Sequence, residues 1–211
     1  GFGLTEVGPN CFSLHQDDAI RKKGSIGFPN FYFDAKVMKD NKEECRANEV
    51  GELWLKSPVV TPGYWRNEKA TMEAITDGWF HTGDLVKKDE EGYFYVVDRK
   101  KNMFISGGEN VYPSEVEAFL YSNNKVKEAA VIGVDDEKWG EVGKAYIVKK
   151  ENEKLDENDI REFCSGNLAK YKIPKHIEFL SELPKSEAGK IDKKILLQMH
   201  KNQLTNKSKT K

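Results

Sequence analysis

The spacing of apolar residues changes near the charged run Asp98-Arg99-Lys100-Lys101, and this change limits the folds open to the chain. Before the run the apolar residues recur at strand spacing, and after it helical and strand spacings alternate. A run of four charges is usually a solvated segment. We therefore predict two domains, residues 1–98 and 99–200. Residues 201–211 contain four lysines and one large apolar side chain, so they are predicted to form a flexible tail.

Short strand-like runs separated by turn residues fill the first half. Gly51–Lys56 alternates cleanly between apolar and polar residues, Gly92–Val97 is β-branched and aromatic, and Phe31–Lys39 alternates in part. A helix is expected over Asn67–Ile75, ending at the turn pair Asp77-Gly78. These signals predict a small β-barrel-like or sandwich subdomain.

Helices and strands are both expected after Arg99. Ser114 and Glu117 have the spacing of a capping box just after Pro113, which predicts a helix start. The other elements expected here are three strands, 128–134, 144–148 and 176–180, and two helices, one capped by Asp156 and one over 191–200. The second half is thus a compact α+β unit, and the fold class of the chain is α+β.

The balance of charge gives no reason to expect a nucleic-acid or membrane partner. The 34 basic and 35 acidic residues leave a formal net charge of −1, so no global field attracts polyanions. No apolar run approaches the length of a membrane span, and the first residues lack the layout of a signal peptide. We expect a cytoplasmic protein without an integral membrane segment.

The cysteines and histidines show no metal-ligand spacing. Cys11, Cys45 and Cys164 are an odd number at wide intervals, which is typical of reduced, buried thiols. The four histidines form no HExxH or related motif. Neither a disulfide nor a structural metal held by the protein alone is expected.

Two loops rich in glycine and lysine bring cations and bare backbone together, as a phosphorylated ligand requires. The first is Asp98–Lys101 leading into Ser106–Asn110, and the second is Pro184–Lys190. The second is not a P-loop, because Pro184 stands where the first glycine should be and Ile191 replaces the Ser/Thr that would hold Mg²⁺. The first lacks the glycine spacing of a Rossmann fingerprint. A Walker site is excluded, and simple turns remain the alternative for both loops.

Two further runs have the side chains of a nucleotide site. Gly1–Glu6 offers flexible backbone, an aromatic ring, a hydroxyl and a carboxylate suited to Mg²⁺. Trp79–Asp84 ends in an acid that can accept both hydroxyls of a ribose. A glycine-rich turn and a β-turn acid are the ordinary alternatives. The residues of each run, taken alone, leave both interpretations open.

The order and spacing of the motifs resemble those of the AMP-forming acyl-CoA synthetases of the adenylate-forming superfamily. The matching runs are Gly1–Glu6, Gly51–Leu53, Gly63–Asn67, Trp79–Asp84, Asp98–Lys101, Ser106–Glu117 and Pro184–Lys190. The resemblance reaches from Gly1 to about Leu197 and covers the C-terminal part of such an enzyme. It implies that residues 1–98 end a large N-terminal domain and that residues 99–200 form a mobile lid domain.

The resemblance also implies roles for individual residues. The implied nucleotide contacts are Phe2 on adenine, Gly3 in the same loop, Thr5 on the AMP phosphate, Glu6 on Mg²⁺, and Asp84 on the ribose hydroxyls with Arg99 beside it. The implied lid residues are Lys101 at the hinge, Lys190 as the adenylation lysine, and Gly107, Gly108 and Asn110 along the pantetheine tunnel. The implied reactants are ATP with Mg²⁺, CoA and a carboxylic acid, expected to be a fatty acid.

The chain departs from the family pattern at three positions, and two other functions remain open. Ser186, Ala188 and Lys193 replace residues that are commonly Thr, Ser and Arg. The first rival is an adenylation enzyme that passes its acyl group to a carrier protein or another acceptor, and the second is a non-catalytic nucleotide- or partner-binding module. The 211 residues are expected to show no ligase turnover alone, because the resemblance implies a need for an N-terminal domain with a phosphate loop and an acyl pocket.

Overall fold

The computed structural model describes residues 1–209, with side chains through Asn206. It divides into two compact units, Gly1–Lys101 and Asn102–Lys211, each with its own apolar core. The boundary falls at the end of the charged run, three residues beyond the predicted position. No helix among the described residues is long and apolar enough to cross a membrane.

Antiparallel strands dominate the first unit. Its elements are β1 (Phe2–Leu4), β2 (Gly8–Ser13), β3 (Phe28–Pro29), β4 (Asp34–Met38), β5 (Val50–Lys56), α1 (Glu68–Ala74), β6 (Ile75–Thr76), β7 (Trp79–Lys88) and β8 (Phe94–Arg99). One sheet has the order β1-β2-β3. The other has the order β4-β5-β7-β6, with β8 also paired to β7.

Of the two arrangements that the sequence left open for this unit, a barrel and a sandwich, a closed barrel is not formed, because within residues 1–209 both sheets are open. Phe12 from the first sheet and Leu53, Leu55 and Val86 from the second belong to one buried cluster. Strand alternation in the sequence specifies a buried face, and two sheets packed face to face bury that face as well as a barrel does. The arrangement is therefore closer to the sandwich that the same alternation allows.

The second unit mixes helices with a five-stranded sheet. Its elements are β9 (Phe104–Ser106), β10 (Glu109–Val111), α2 (Pro113–Tyr121), β11 (Val126–Asp136), β12 (Gly140–Lys149), α3 (Glu157–Cys164), β13 (His176–Phe179) and α4 (Lys193–Lys209). The strand order is β10-β9-β12-β11, and β13 pairs in parallel with β12. Because β11 pairs with β12 alone, it forms one edge of this sheet.

The starts of α2 and α3 show how far local sequence signals reach. Asp156 caps α3 through a reciprocal pair of hydrogen bonds with Asp159, as its residue type predicts. The predicted capping box of α2 is wrong, because α2 begins at Pro113 and its N-cap is Tyr112, without a side-chain cap. Glu117 instead accepts a hydrogen bond from Val131 N. Its side chain therefore makes a tertiary contact and not the local capping contact.

The predicted flexible tail is also corrected, because α4 continues to Lys209. Lys144 is buried on β12. Its ammonium donates a hydrogen bond to Gln203 Oε1 at 2.9 Å and forms an ion pair with Glu178 Oε2 at 2.8 Å. Gln203 Nε2 donates to Glu178 in turn, at 2.9 Å. A buried lysine needs partners, so this polar cluster holds the helix against the sheet. Residues 210 and 211 lie outside the described part of the chain.

Candidate active site

Asp84 and Arg99 form an ion pair between two neighbouring strands of the first unit. They lie directly opposite each other on β7 and β8, and Arg99 Nε is 2.7 Å from Asp84 Oδ1. The Asp84 side chain is only 5 % exposed, whereas that of Arg99 is 47 % exposed. Burial raises the pKa of Asp84, and the opposing effect of Arg99 only partly offsets it.

The second oxygen of Asp84 lacks a protein partner. Among the side chains described, through residue 206, none donates a hydrogen bond to Asp84 Oδ2, although that atom is buried. An unpaired buried acceptor costs about 1–3 kcal/mol, so a fold seldom keeps one without another use. The orphaned oxygen is an acceptor available to a hydroxyl donor from a ligand.

Two side chains fix the backbone of β7 just before Asp84. Thr82 Oγ1 donates to Leu53 O at 2.8 Å and accepts from Asp84 N at 3.0 Å. Glu52 Oε1 accepts from Gly83 N at 3.1 Å, while Gly83 adopts a φ of 68° that suits glycine. The Gly51–Leu53 run is among the sequence motifs, but the sequence alone assigned no role to Glu52. The hydrogen-bond partner of Glu52 lies 31 residues away along the chain.

The charged run at the end of β8 borders an open depression. Its volume is about 320 Å³, and its lining residues are Gly83, Arg99, Lys100 and Lys101. Lys100 is held by Asp40 at 2.7 Å and by Glu52 Oε2 at 3.1 Å. Lys101 is exposed and is the last residue of the first unit. Two carboxylates therefore anchor Lys100, immediately before the expected hinge residue.

The first six residues form part of the β1–β2 hairpin. Phe2 packs edge-on against Phe12, with ring centroids 6.0 Å apart, and stays partly exposed. Position 3 requires glycine, because a Cβ there would lie 2.4 Å from the carbonyl carbon of Pro9 on the neighbouring strand β2. Gly3 therefore allows β1 and β2 to approach each other closely. The sequence alone did not indicate this contact. Thr5 is exposed at the turn between the two strands.

Glu6 follows Thr5 and is paired with a tyrosine. Tyr64 Oη donates to Glu6 Oε1 at 3.0 Å, and burial together with this bond raises the pKa of Tyr64. The described residues hold no cluster of three or more His, Cys, Asp or Glu side chains arranged for a metal. A single carboxylate still suits Mg²⁺, which proteins hold through one or two carboxylates together with substrate phosphates.

Lys190 lies on a short hairpin of the second unit. Lys185 and Ile191 pair at its base, Ser186 N donates to Lys190 O at 2.8 Å, and Gly189 N donates to Ser186 O at 2.8 Å. Gly189 has a φ of 74°, and Lys190 is exposed. The hairpin presents the Lys190 ammonium to solvent from a closed turn.

The glycine pair Gly107-Gly108 connects β9 to β10. Gly107 N donates to Trp139 O at 2.9 Å, and a Cβ on Gly107 would lie 2.9 Å from Trp139 Cε3. A cavity of about 430 Å³ adjoins this loop, and its lining residues are Ser106, Gly107, Glu109, Trp139, Val142, Lys170, Tyr171, Ile173 and Lys175. Asn110 is exposed on β10, opposite Ile105. The glycine backbone of this loop thus borders a cavity that is lined in part by aromatic side chains and by lysines.

Two family models match the chain. The model described as AMP-binding enzyme covers residues 1–65, and the model described as AMP-binding enzyme C-terminal domain covers residues 115–190. The chain belongs to the adenylate-forming superfamily of AMP-binding enzymes. The expected membership in this superfamily is therefore confirmed, and one matched range lies in each of the two units.

Two curated CoA ligases match most of the chain. It is 44 % identical to the feruloyl-CoA synthase of an Amycolatopsis species over 191 residues, which are 90 % of the chain and 39 % of that protein. It is 45 % identical to the 2-succinylbenzoate–CoA ligase of Geobacillus kaustophilus over 190 residues, again 90 % and 39 %. The chain spans about two fifths of the length of these curated relatives.

Solved structures of the superfamily share its fold. The o-succinylbenzoate CoA synthetase (MenE) of Bacillus subtilis, in complex with the acyl-adenylate OSB-AMP, superposes with a TM-score of 0.84 at 39 % identity, covering 90 % of this chain and 38 % of that one. The same enzyme in complex with ATP and magnesium ion gives 0.82 at 38 % identity, with 90 % and 39 % covered. The α+β fold class is confirmed.

Proposed function

We propose that the chain forms the C-terminal part of a ligase that joins a carboxylic acid to CoA through an acyl-adenylate. The observation that carries the proposal is the Asp84–Arg99 pair, in which Oδ1 is bound by Arg99 and buried Oδ2 lacks a partner among the side chains described. A ribose offers adjacent hydroxyl donors, which suit a carboxylate at a nucleotide site. An ordinary β-turn aspartate keeps its oxygens in solvent or on backbone amides.

The segment around Glu6 supports a site for the phosphates of ATP. Glu6 would hold Mg²⁺ while Tyr64 orients its carboxylate, and the exposed Thr5 hydroxyl would donate to the AMP phosphate. Phe2 would stack on adenine with the part of its ring that Phe12 leaves uncovered. Bound Mg²⁺ supplies positive charge against the phosphate oxygens.

Lys190 is proposed to stabilise the transition state of adenylation. When a carboxylate attacks the α-phosphate of ATP, negative charge spreads over the phosphoryl oxygens and onto the departing pyrophosphate. An ammonium is a compact point charge that can meet this charge. The exposure of Lys190 on a tight hairpin supports the role, because the side chain is free to reach a ligand.

Lys101 is proposed as a hinge between two half-reactions. The boundary between the compact units follows Lys101 directly, which supports a pivot there. Rotation of the second unit would withdraw Lys190 and bring up the Gly107-Gly108 loop, so that a thiol reaches the acyl-adenylate. Asn110 would lie along the same path, and the cavity beside the loop gives space for the pantetheine arm of CoA.

The names of the relatives suggest which class of carboxylic acid is the substrate. The relatives are named for feruloyl-CoA and 2-succinylbenzoate, both aromatic, so we propose an aromatic carboxylic acid as the substrate class. The fatty acid expected from the resemblance has no support from these names. The three free cysteines support a reducing, cytoplasmic location for the enzyme.

Product analysis of the complete ligase tests this function. The enzyme is incubated with ATP, Mg²⁺, CoA and one acid at a time from a panel of aromatic and fatty acids, and AMP, pyrophosphate and the CoA ester are quantified. We expect equal amounts of AMP and CoA ester with an aromatic acid. AMP release that needs a carrier protein instead of free CoA would favour the carrier-dependent adenylation enzyme, and no acid-dependent AMP with any acid would contradict the ligase.

A further inference from the structure

Glu117 links three elements of the second unit. Its Oε1 accepts a hydrogen bond from Val131 N at 2.7 Å and lies 2.6 Å from Lys193 Nζ. Glu117 belongs to α2, Val131 lies on the edge strand β11, and Lys193 is the first residue of α4. The two charged side chains are mostly buried, at 16 % and 20 % exposure. One carboxylate therefore satisfies an edge-strand amide and fixes the start of the last helix.

The chain segment that ends at Lys193 is the one that carries Lys190. Lys185 and Ile191 pair at the base of the hairpin, so Lys193 lies two residues beyond that base. Leu183 and Leu196, on either side of the segment, are buried in one cluster. The base of the hairpin is thus held by packing, and its exit is held by the Glu117–Lys193 ion pair.

We propose that Glu117 is a positioning residue for Lys190, a role that rests on the proposed adenylation function. Glu117 acts through Lys193, which it holds three residues beyond the catalytic lysine. Without the carboxylate, the Lys193 ammonium has to leave its largely buried place to regain water. That movement shifts the adjoining hairpin and therefore the Lys190 ammonium.

A second ion pair near the hairpin is a weaker candidate for the same task. Lys185 Nζ lies 2.5 Å from Glu128 Oε1, but the Lys185 side chain is 45 % exposed. Exposed pairs contribute little because water and salt screen them. The Glu117 carboxylate is better shielded and also receives a backbone hydrogen bond, which strengthens its hold.

The two half-reactions separate positioning from a general loss of structure. Lys190 is proposed to act only in adenylation, so a displaced hairpin slows acid-dependent ATP–pyrophosphate exchange and spares the transfer of a supplied acyl-adenylate to CoA. A general weakening of the fold slows both. The test measures both rates, together with thermal unfolding, in the complete ligase.

Four variants make the test. Glu117→Gln keeps an oxygen for Val131 N and removes the charge that Lys193 needs, and Lys193→Gln removes the same ion pair without touching β11. Lys193→Arg preserves the pair. Glu115→Gln is the matched control, because it removes a 2.7 Å ion pair with Lys172 from the same helix.

We expect Glu117→Gln and Lys193→Gln each to lower exchange by roughly 10- to 100-fold, as a misplaced catalytic group does, with transfer to CoA within about twofold of wild type. Lys193→Arg and Glu115→Gln should retain exchange. If Glu117→Gln does not fold, Lys193→Gln alone decides. Exchange at the control rate in Lys193→Gln, or an equal loss of both half-reactions, overturns the positioning role. The proposed function is tested separately by Lys190→Ala, and retained exchange in that variant would contradict it.

Discussion

Arg99 Nε lies 2.7 Å from Asp84 Oδ1, and strand register places the two residues face to face on β7 and β8. The arginine binds one oxygen of the carboxylate, and the other oxygen is buried without a partner among the described side chains. Hydrogen bonds to an ionised group are about twice as strong as neutral ones. A buried carboxylate held in this way is prepared to bind neighbouring hydroxyl groups.

Replacing this carboxylate should weaken the binding of ATP. Asp84→Ala is expected to raise the KM for ATP of the complete ligase by roughly 10- to 100-fold, since a hydrogen bond to a charged group contributes about 1.5–3 kcal/mol. Steady-state kinetics at varied ATP measures the change. Glu90→Ala, which removes an exposed acid from the β7–β8 turn, is the control. An unchanged KM in Asp84→Ala would remove the ribose role.

The same position should show a conflict between stability and binding. Burial raises the pKa of Asp84 above its unfolded value of about 3.9, so the folded state favours the protonated form. The stabilising contribution of this proton is full below the unfolded pKa and is lost as pH rises through the folded pKa. Asp84→Asn, which carries no charge, should therefore unfold at a higher temperature than wild type at neutral pH.

The pH series supplies the control for that prediction. The advantage of Asp84→Asn should shrink as the pH falls toward about 4, where the wild-type carboxyl becomes protonated in both states. Calorimetric unfolding of the 211-residue chain at several pH values measures it. A variant that is less stable than wild type across the whole range would show that the Arg99 ion pair outweighs the burial of the charge.

The glycine pair gives a matched comparison at neighbouring positions. Gly107 and Gly108 have φ values of 61° and 89°, so alanine at either costs about 1–2 kcal/mol in backbone strain. Gly107→Ala also brings its Cβ to 2.9 Å from the Trp139 ring, whereas no described atom lies within 4 Å of a Cβ on Gly108. Gly107→Ala should therefore lower the free energy of unfolding more than Gly108→Ala does, as urea titration would show. Equal losses would mean that the Trp139 contact is absent in solution.

Local signals in the sequence were sufficient for several elements. Asn67 caps α1 by accepting from Ala70 N, and Asp156 caps α3, because both caps depend only on residues within one turn. The alternation in Gly51–Lys56 correctly predicted β5, whose leucines are buried. The superfamily followed from the order of several motifs, which a single short motif does not establish.

Contacts between distant residues account for what the sequence did not predict. The partners of Glu52 and Glu117 lie 31 and 14 residues away along the chain, at positions fixed by sheet register and helix packing. The choice between a barrel and two open sheets depends on which strands meet, and alternation does not encode that choice. The helical end of the chain depends on Gln203 meeting buried Lys144, a contact 59 residues apart.

That contact makes the end of the chain a measurable part of the fold. Gln203→Ala removes one partner of Lys144 and one of Glu178, so it should lower the free energy of unfolding by about 1–3 kcal/mol. Chemical denaturation of the 211-residue chain measures the loss. Asn202→Ala, at an exposed position of the same helix, should cost much less. Equal losses of stability in the two variants would indicate that residues 201–209 form the flexible tail that their composition predicts.

The most direct measurement is the exchange of pyrophosphate into ATP by the complete ligase carrying Lys190→Ala. We predict that acid-dependent exchange falls by at least about 100-fold, since a lost electrostatic contact to the transition state has that effect. Transfer of a supplied acyl-adenylate to CoA should continue near the wild-type rate. Exchange at the wild-type rate in this variant would contradict the role of Lys190 and the function built on it.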